Sequence, residues 1–241
     1  MSRDLPGDQT PDKSQAIRRA VRQLWKLVFM PPLVAVMFLM AGTWNWPMGW
    51  VFVGVFFVLG PLVSCVVLIP RQPEMVLERT TRRKPVKPWD KLLYPLISVS
   101  GLLIFFLPPV DLRFGWSPPL ATWIPWTAVV VGALGYLLAI WAMASNPFFA
   151  RIAYVQKDRG HAVATGGPYG IVRHPGYVGM SMLMLAVPII LGSLWSLVPA
   201  GIVVALVVVR TVFEDRMLHE ELHGYREYAR RVRYRLVPGV W

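Results

Sequence analysis

Residues 177–209 read YVGMSMLMLAVPIILGSLWSLVPAGIVVALVVV, 33 positions without a formal charge. One helix needs about 20 residues to cross roughly 30 Å of hydrocarbon, so this run is too long for a single crossing. Gly192-Ser193 divides it, and Pro188 adds an expected kink. The run therefore predicts a tight hairpin of two membrane helices.

Four further uncharged stretches, Leu27–Trp46, Met48–Ile69, Leu92–Val110 and Leu120–Ala144, each approach the length of one span. Together with the hairpin they predict an all-α, polytopic membrane bundle of six helices. Composition agrees: 55% of residues are hydrophobic and 16% charged, against about 25% charged in soluble domains. Mean hydropathy is +0.48. The net charge of +12 raises nucleic acid as a partner, but its distribution excludes that class. Of 25 Lys and Arg, 24 fall in the N-terminal tail, the 71–91 loop, the 145–173 loop and the segment from Arg210 onward. Only Arg113 lies in a loop on the other side. Six crossings put those four segments on one face, which the positive-inside rule makes cytoplasmic, with both termini inside.

The chain divides by character into a polar cytoplasmic tail (1–23), a four-helix membrane region (24–144) and a third region (145–241). The tail has no signal-peptide pattern. Cys65 is the single cysteine, so no disulfide or thiolate metal framework is available. Arg outnumbers Lys by 19 to 6, which points to a GC-rich bacterial genome and hence the inner membrane. The run Arg71–Lys91, with seven basic and three acidic residues, reads as a solvated connector facing lipid headgroups.

The segment 146–179, NPFFARIAYVQKDRGHAVATGGPYGIVRHPGYVG, differs in mixing polar, Gly and aromatic residues ahead of an apolar helix. His174 precedes Pro175, so His174 is expected at a helix cap with Pro175 opening the fifth helix. The N–H groups of Gly176, Tyr177 and Val178 would then offer an anion site. Gly166, Gly167 and Gly170 allow a ligand close to the backbone. On the sixth helix, Arg210 and Glu214 are four apart and share a face, extended by Leu218 and Glu221. They form either the wall of a polar cavity or an intrahelical ion pair at the interface.

The run His161-Ala-Val-Ala-Thr-Gly-Gly-Pro-Tyr169-Gly-Ile-Val-Arg173-His174-Pro175-Gly-Tyr177-Val-Gly179 resembles the signature of the isoprenylcysteine carboxyl methyltransferases. Arg210-Thr-Val-Phe-Glu214-Asp215-Arg-Met-Leu218 and Gly224-Tyr225-Arg-Glu-Tyr228 resemble that family's downstream element, with Asp215 in place of its second Glu. The resemblance spans roughly residues 145–241. It implies an S-adenosylmethionine-dependent methyltransferase with a cytoplasmic cofactor pocket and a lipophilic acceptor: a prenylcysteine-like carboxylate, a lipid, or a small thiol or amine. By position it implies Gln156, His161, Ala162, Val163, Ala164, Tyr169, His174, Pro175, Gly176, Tyr177 and Glu214 at the cofactor. It also makes Arg210, Arg173 and Glu214 the catalytic candidates, with Arg210 toward the acceptor. The spacing from Gln156 to His161 is shorter than in eukaryotic members. The expected partners are the bilayer and that acceptor; the sequence is silent on oligomeric state.

Three other classes compete. His219-Glu220-Glu221-Leu222-His223 reads H-E-x-x-H, which on a helix brings two zinc ligands and a base to one face. Only 18 residues follow His223, and they hold one acid, Glu227, so a remote third ligand is missing there and no metal is expected. An NADPH-dependent reductase of related fold and a non-enzymatic accessory protein complete the set.

Overall fold

The structure, a computed structural model, describes residues 30–72 and 86–241. The tail 1–23 and the basic run Arg79–Lys84 lie outside the described residues. Among the described residues there are helices and turns and no strand. The main elements are α1 (Met30–Ala41), α2 (Pro47–Arg71), α3 (Pro88–Phe114), α4 (Trp123–Ala144), α5 (Pro175–Ile190), α6 (Leu197–Glu221) and α7 (Tyr225–Arg231). Four of them, α2, α3, α4 and α6, are long and apolar enough to cross a membrane. α5 is apolar but has 16 residues, about 24 Å at 1.5 Å per residue.

The expected hairpin is present. α5 ends at Ile190, and Gly192 takes φ +76° in the turn before α6. Pro188 lies one turn inside α5. Several helices outrun the apolar stretches that announced them. α6 continues twelve residues past Val209 and carries Arg210, Glu214, Asp215 and Leu218. Hydropathy stops where charge begins, whereas backbone hydrogen bonding does not.

Two features orient the bundle. Outward positions such as Leu62, Val66, Leu102, Val130, Leu134, Val198 and Ile202 are exposed apolar side chains, the surface a hydrocarbon solvent would cover. Exposed Trp44, Trp50, Trp116, Trp123, Trp126 and Trp195 cluster at the turns joining α1 to α2, α3 to α4 and α5 to α6, as interfacial aromatics do. At this end Asp111, nearly fully buried, accepts hydrogen bonds from the Ser117 N–H and hydroxyl (both 2.7 Å) and from the Ser193 hydroxyl. One carboxylate thus ties the α3–α4 loop to the hairpin turn.

The tightest packing is between α4 and α5. A Cβ at Gly135 would lie 2.7 Å from the Gly179 carbonyl oxygen, and one at Gly179 would fall on the Gly135 carbonyl in turn. Small residues let the two backbones meet where apolar burial alone gives no preference between helix and lipid. This contact fixes the start of α5, and with it His174. Replacing Gly179 by Val should therefore lower stability by about 1–3 kcal/mol through overpacking against main chain. Gly201→Val, on α6 with open space around it, serves as the control in thermal melting.

Candidate active site

At the end opposite the tryptophans, α3, α5, α6, α7 and the 146–173 loop enclose a cavity of about 280 Å³. Its wall includes Tyr94 and Ile97 from α3, Phe148 to Tyr154 from the loop, and Met180 and Val207 from the apolar parts of α5 and α6. Of the residues singled out by sequence, His161, Val163, Ala164, Tyr169, Arg173, His174, Gly176, Tyr177, Arg210 and Glu214 line it. Gln156, Ala162 and Pro175 do not. The Gln156 side chain is spent internally, donating Nε2–H to the Phe148 carbonyl (2.8 Å) and accepting from Arg159 (2.6 Å). Ala162 is exposed, and Pro175 is buried at the first turn of α5.

His174 caps α5 and Pro175 opens it, as the dipeptide predicts. The anion site expected there is different. The N–H groups of Tyr177 and Val178 both return to the His174 carbonyl (3.0 and 3.3 Å), and the Phe149 ring covers Gly176. The first turn is closed by its own cap, which leaves no three-donor cradle. Gly167, at φ +59°, makes a close approach to Trp141 of α4 and to Ser145 at its C-terminal cap.

The organising group is Asp215, 2% exposed. Its carboxylate accepts two bonds from Arg173 Nη1 (2.9 and 3.0 Å), one from Arg235 Nε (2.9 Å) and one from the Tyr225 hydroxyl (2.9 Å), with His174 Nε2 at 3.5 Å. The C-terminal segment straps the same corner, since the N–H groups of Arg173 and His174 donate to the carbonyls of Tyr234 and Arg235 (2.9 and 3.0 Å). The Tyr228 hydroxyl donates to the Tyr169 carbonyl (2.8 Å), binding α7 to the loop. Burial pushes the phenols of Tyr169, Tyr225 and Tyr228 well above their ordinary range, so they act as neutral donors.

The stripe on α6 divides. Glu214 accepts a short hydrogen bond from the Tyr177 hydroxyl. Arg210 does not form its hydrogen bonds with Glu214. It donates Nη2–H to Asp90 (3.1 Å) and to the Arg151 carbonyl (2.6 Å), while its Nε lies 3.0 Å from the second Asp90 oxygen. Leu218 lines the cavity, but Glu221 turns aside to pair with Lys87. The described end of the 71–91 connector is therefore not a solvated lipid-facing strip: Asp90 is fully buried and Lys87 clasps α6. Sequence reasoning missed Asp90 because it stands in a charge-rich run. The available signal was a lone acid in the first turn after Pro88.

His161 accepts the Gln156 N–H at Nδ1 (3.1 Å) and stacks on Phe148 with centroids 4.4 Å apart. Burial, reinforced by the nearby Arg159 charge, lowers its pKa to about 4, so it is neutral near pH 7. The H-E-x-x-H spacing does not become a helical face. α6 ends at Glu221, Leu222 is extended, and Gly224 turns the chain at φ +80°, so His223 leaves the helix that carries His219. His219 Nδ1 instead lies 2.7 Å from the Asp215 carbonyl.

Comparison with known proteins finds similarity to curated proteins, among them the following two, and to one family model. A cobalt-zinc-cadmium resistance protein, CzcN, of Cupriavidus metallidurans is 31% identical over 142 residues, covering 56% of this chain and 60% of that protein. A Delta(14)-sterol reductase, ERG24B, of Gibberella zeae is 26% identical over 135 residues, covering 40% of this chain and 28% of the reductase. The chain thus spans less than two thirds of either relative. Residues 123–224 match the phospholipid methyltransferase family model, starting one helix earlier than the resemblance read from the sequence. That segment, less than half of the chain, carries most of the cavity wall and is the part that is similar to the phospholipid methyltransferase family.

Proposed function

We propose that the protein is an S-adenosylmethionine-dependent methyltransferase that modifies a lipophilic acceptor at the cytoplasmic face of a membrane. The observation that carries this reading is a single cavity that runs from loop residues His161 and Val163 to the membrane-helix residues Ile97, Met180 and Val207. One part can receive a polar cofactor and the other an apolar tail. At about 280 Å³ the cavity lies near the lower end of the usual range for ligand sites, about 300–1,000 Å³.

The residues fit the cofactor's charges. Arg173 and Arg235 share Asp215, leaving surplus positive charge for a carboxylate. Glu214 suits an ammonium or sulfonium, and Tyr169, Tyr177 and Phe148 offer aromatic faces to a cation. S-adenosylmethionine supplies a methyl group on a sulfonium sulfur, open to in-line displacement. The chain's part is to align the acceptor and exclude water. Tyr177 fixes the Glu214 carboxylate, Asp215 fixes Arg173 and His174, and the Tyr228–Tyr169 bond closes the loop over the cavity. Arg210 presents a guanidinium to the acceptor. In this reading, residues 145–241 form the catalytic region, completed by α3 from the 24–144 region, and six crossings set both termini in the cytoplasm. The relative that is a sterol reductase supports a second reading, a nucleotide-dependent reductase in the same cavity.

Calorimetric titration separates the two readings. S-adenosylmethionine should bind the wild type and NADPH should not; the reverse result replaces the methyltransferase with the reductase. Glu214→Gln, which keeps size but removes charge, should weaken S-adenosylmethionine binding by about 1.5–3 kcal/mol. Unchanged affinity would remove Glu214 from the cofactor site.

Reporter fusions test the topology. Those after residues 46, 115 and 193 should report the outside, and those after 160 and 241 the cytoplasm. An outward C-terminus overturns it.

His161 gives a pH signature. Its folded pKa, about 4, lies below the unfolded 6.5, so the neutral ring stabilises the loop above pH 6.5. That contribution should fade as pH falls from 6.5 toward 4. His161→Asn should flatten the melting-temperature profile across this window; an equally steep profile in the variant would assign the loss to other groups.

A further inference from the structure

Three arginines line the cavity, Arg151, Arg173 and Arg210, and the counter-charges of the two buried ones, Arg173 and Arg210, differ in kind. Arg173 is held by Asp215, which also holds Arg235, so that corner keeps a net positive charge. Arg210 is held by Asp90, whose contacts among the described residues are otherwise the Ala153 N–H at 2.9 Å. The 3.1 Å contact from Nη2 to Asp90 is a hydrogen bond, the 3.0 Å contact from Nε to the other oxygen is ionic only, and both partners are buried. Arg210 also lies between two rings, with Cζ 6.0 Å from the Tyr94 centroid and 5.6 Å from that of Tyr177. It is thus fixed in place with Asp90 as its contacting anion, and the Glu214 carboxylate one helical turn away adds to the negative field around it. Asp90 itself is not part of the cavity wall.

This balance bears on which acceptors can bind. A lone guanidinium in a low-dielectric cavity attracts a carboxylate strongly. A guanidinium already matched by a buried carboxylate offers directional donors but little net charge, and a second anion beside it is repelled by the first.

We propose that Asp90 is a specificity determinant: by cancelling the charge of Arg210 it makes the cavity select lipophilic acceptors with uncharged heads over carboxylate-headed ones. This rests on the methyltransferase reading for the word acceptor. It goes beyond it in naming the head-group class, and in giving a role to a residue outside the 123–224 family match.

The test is equilibrium binding of radiolabelled dodecanoate and dodecan-1-ol to the full chain in phosphatidylcholine nanodiscs, counted above empty nanodiscs. The wild type should retain dodecanol and little dodecanoate. Asp90→Asn should bind dodecanoate at least about tenfold more tightly, with dodecanol within about threefold. The gain should vanish in the double variant Asp90→Asn, Arg210→Gln. A merely structural role for Asp90 produces loss, not gain, so a folded Asp90→Asn without tighter dodecanoate binding overturns the proposal. If that variant melts below the assay temperature, the wild type and double variant decide. Wild-type dodecanoate binding more than about tenfold above the double variant overturns the proposal, and equal or weaker binding supports it. Separately, a wild type that binds no S-adenosylmethionine sinks the methyltransferase reading while leaving the dodecanoate comparison to decide the charge balance.

Discussion

Asp215 gathers hydrogen-bond donors from three separate parts of the chain. Arg173 arrives from the turn before α5, Tyr225 from α7, and Arg235 from the C-terminal strap, all meeting one carboxylate that is 2% exposed. A buried carboxylate without partners is destabilising by several kcal/mol, and its partners in turn cannot be left stranded. Once α6 places Asp215 at this depth, the other segments have one arrangement that satisfies it. That arrangement puts His174 at the head of α5 and closes the cavity on its C-terminal side.

The opposite wall is set by a second ion pair built on the same logic. Asp90 and Arg210 join α3 to α6, and Asp90 also takes the Ala153 N–H, so the 146–156 stretch is anchored from below. The cavity therefore lies between two buried ionic anchors, with Glu214 and Tyr177 between them. Rigid placement of this kind suits a reaction in which alignment matters more than acid–base chemistry. The helical frame that carries it depends on Gly135 and Gly179, where two backbones touch, and on Asp111, which clasps the far end.

Much of the frame was legible from one periodic property, the length of uncharged stretches. Among the described residues it located six apolar helices, four of them long enough to cross a membrane, together with the hairpin at Gly192 and the all-helical class. Gly-Tyr-x-x-Tyr and Arg-His-Pro pointed to segments whose Tyr225, Tyr228, Arg173 and His174 line one cavity. Less legible was the direction in which polar groups are spent. Gln156 looks like a ligand-facing amide but bonds to Phe148 and Arg159. Glu221 continues the Arg210 and Glu214 stripe by spacing yet pairs with Lys87. The N–H groups of Tyr177 and Val178 are consumed by the cap itself.

The sequence by itself determined where hydrocarbon is met and where the chain turns. These are local matters, fixed by transfer free energy along the chain and by the backbone preferences of Gly and Pro. Only the tertiary structure decided which charge meets which. Asp90 is 120 residues from Arg210, and Asp215 is 42 from Arg173. Ion pairing in a buried site depends on distances of about 3 Å between side chains, a scale that no spacing along the chain can supply.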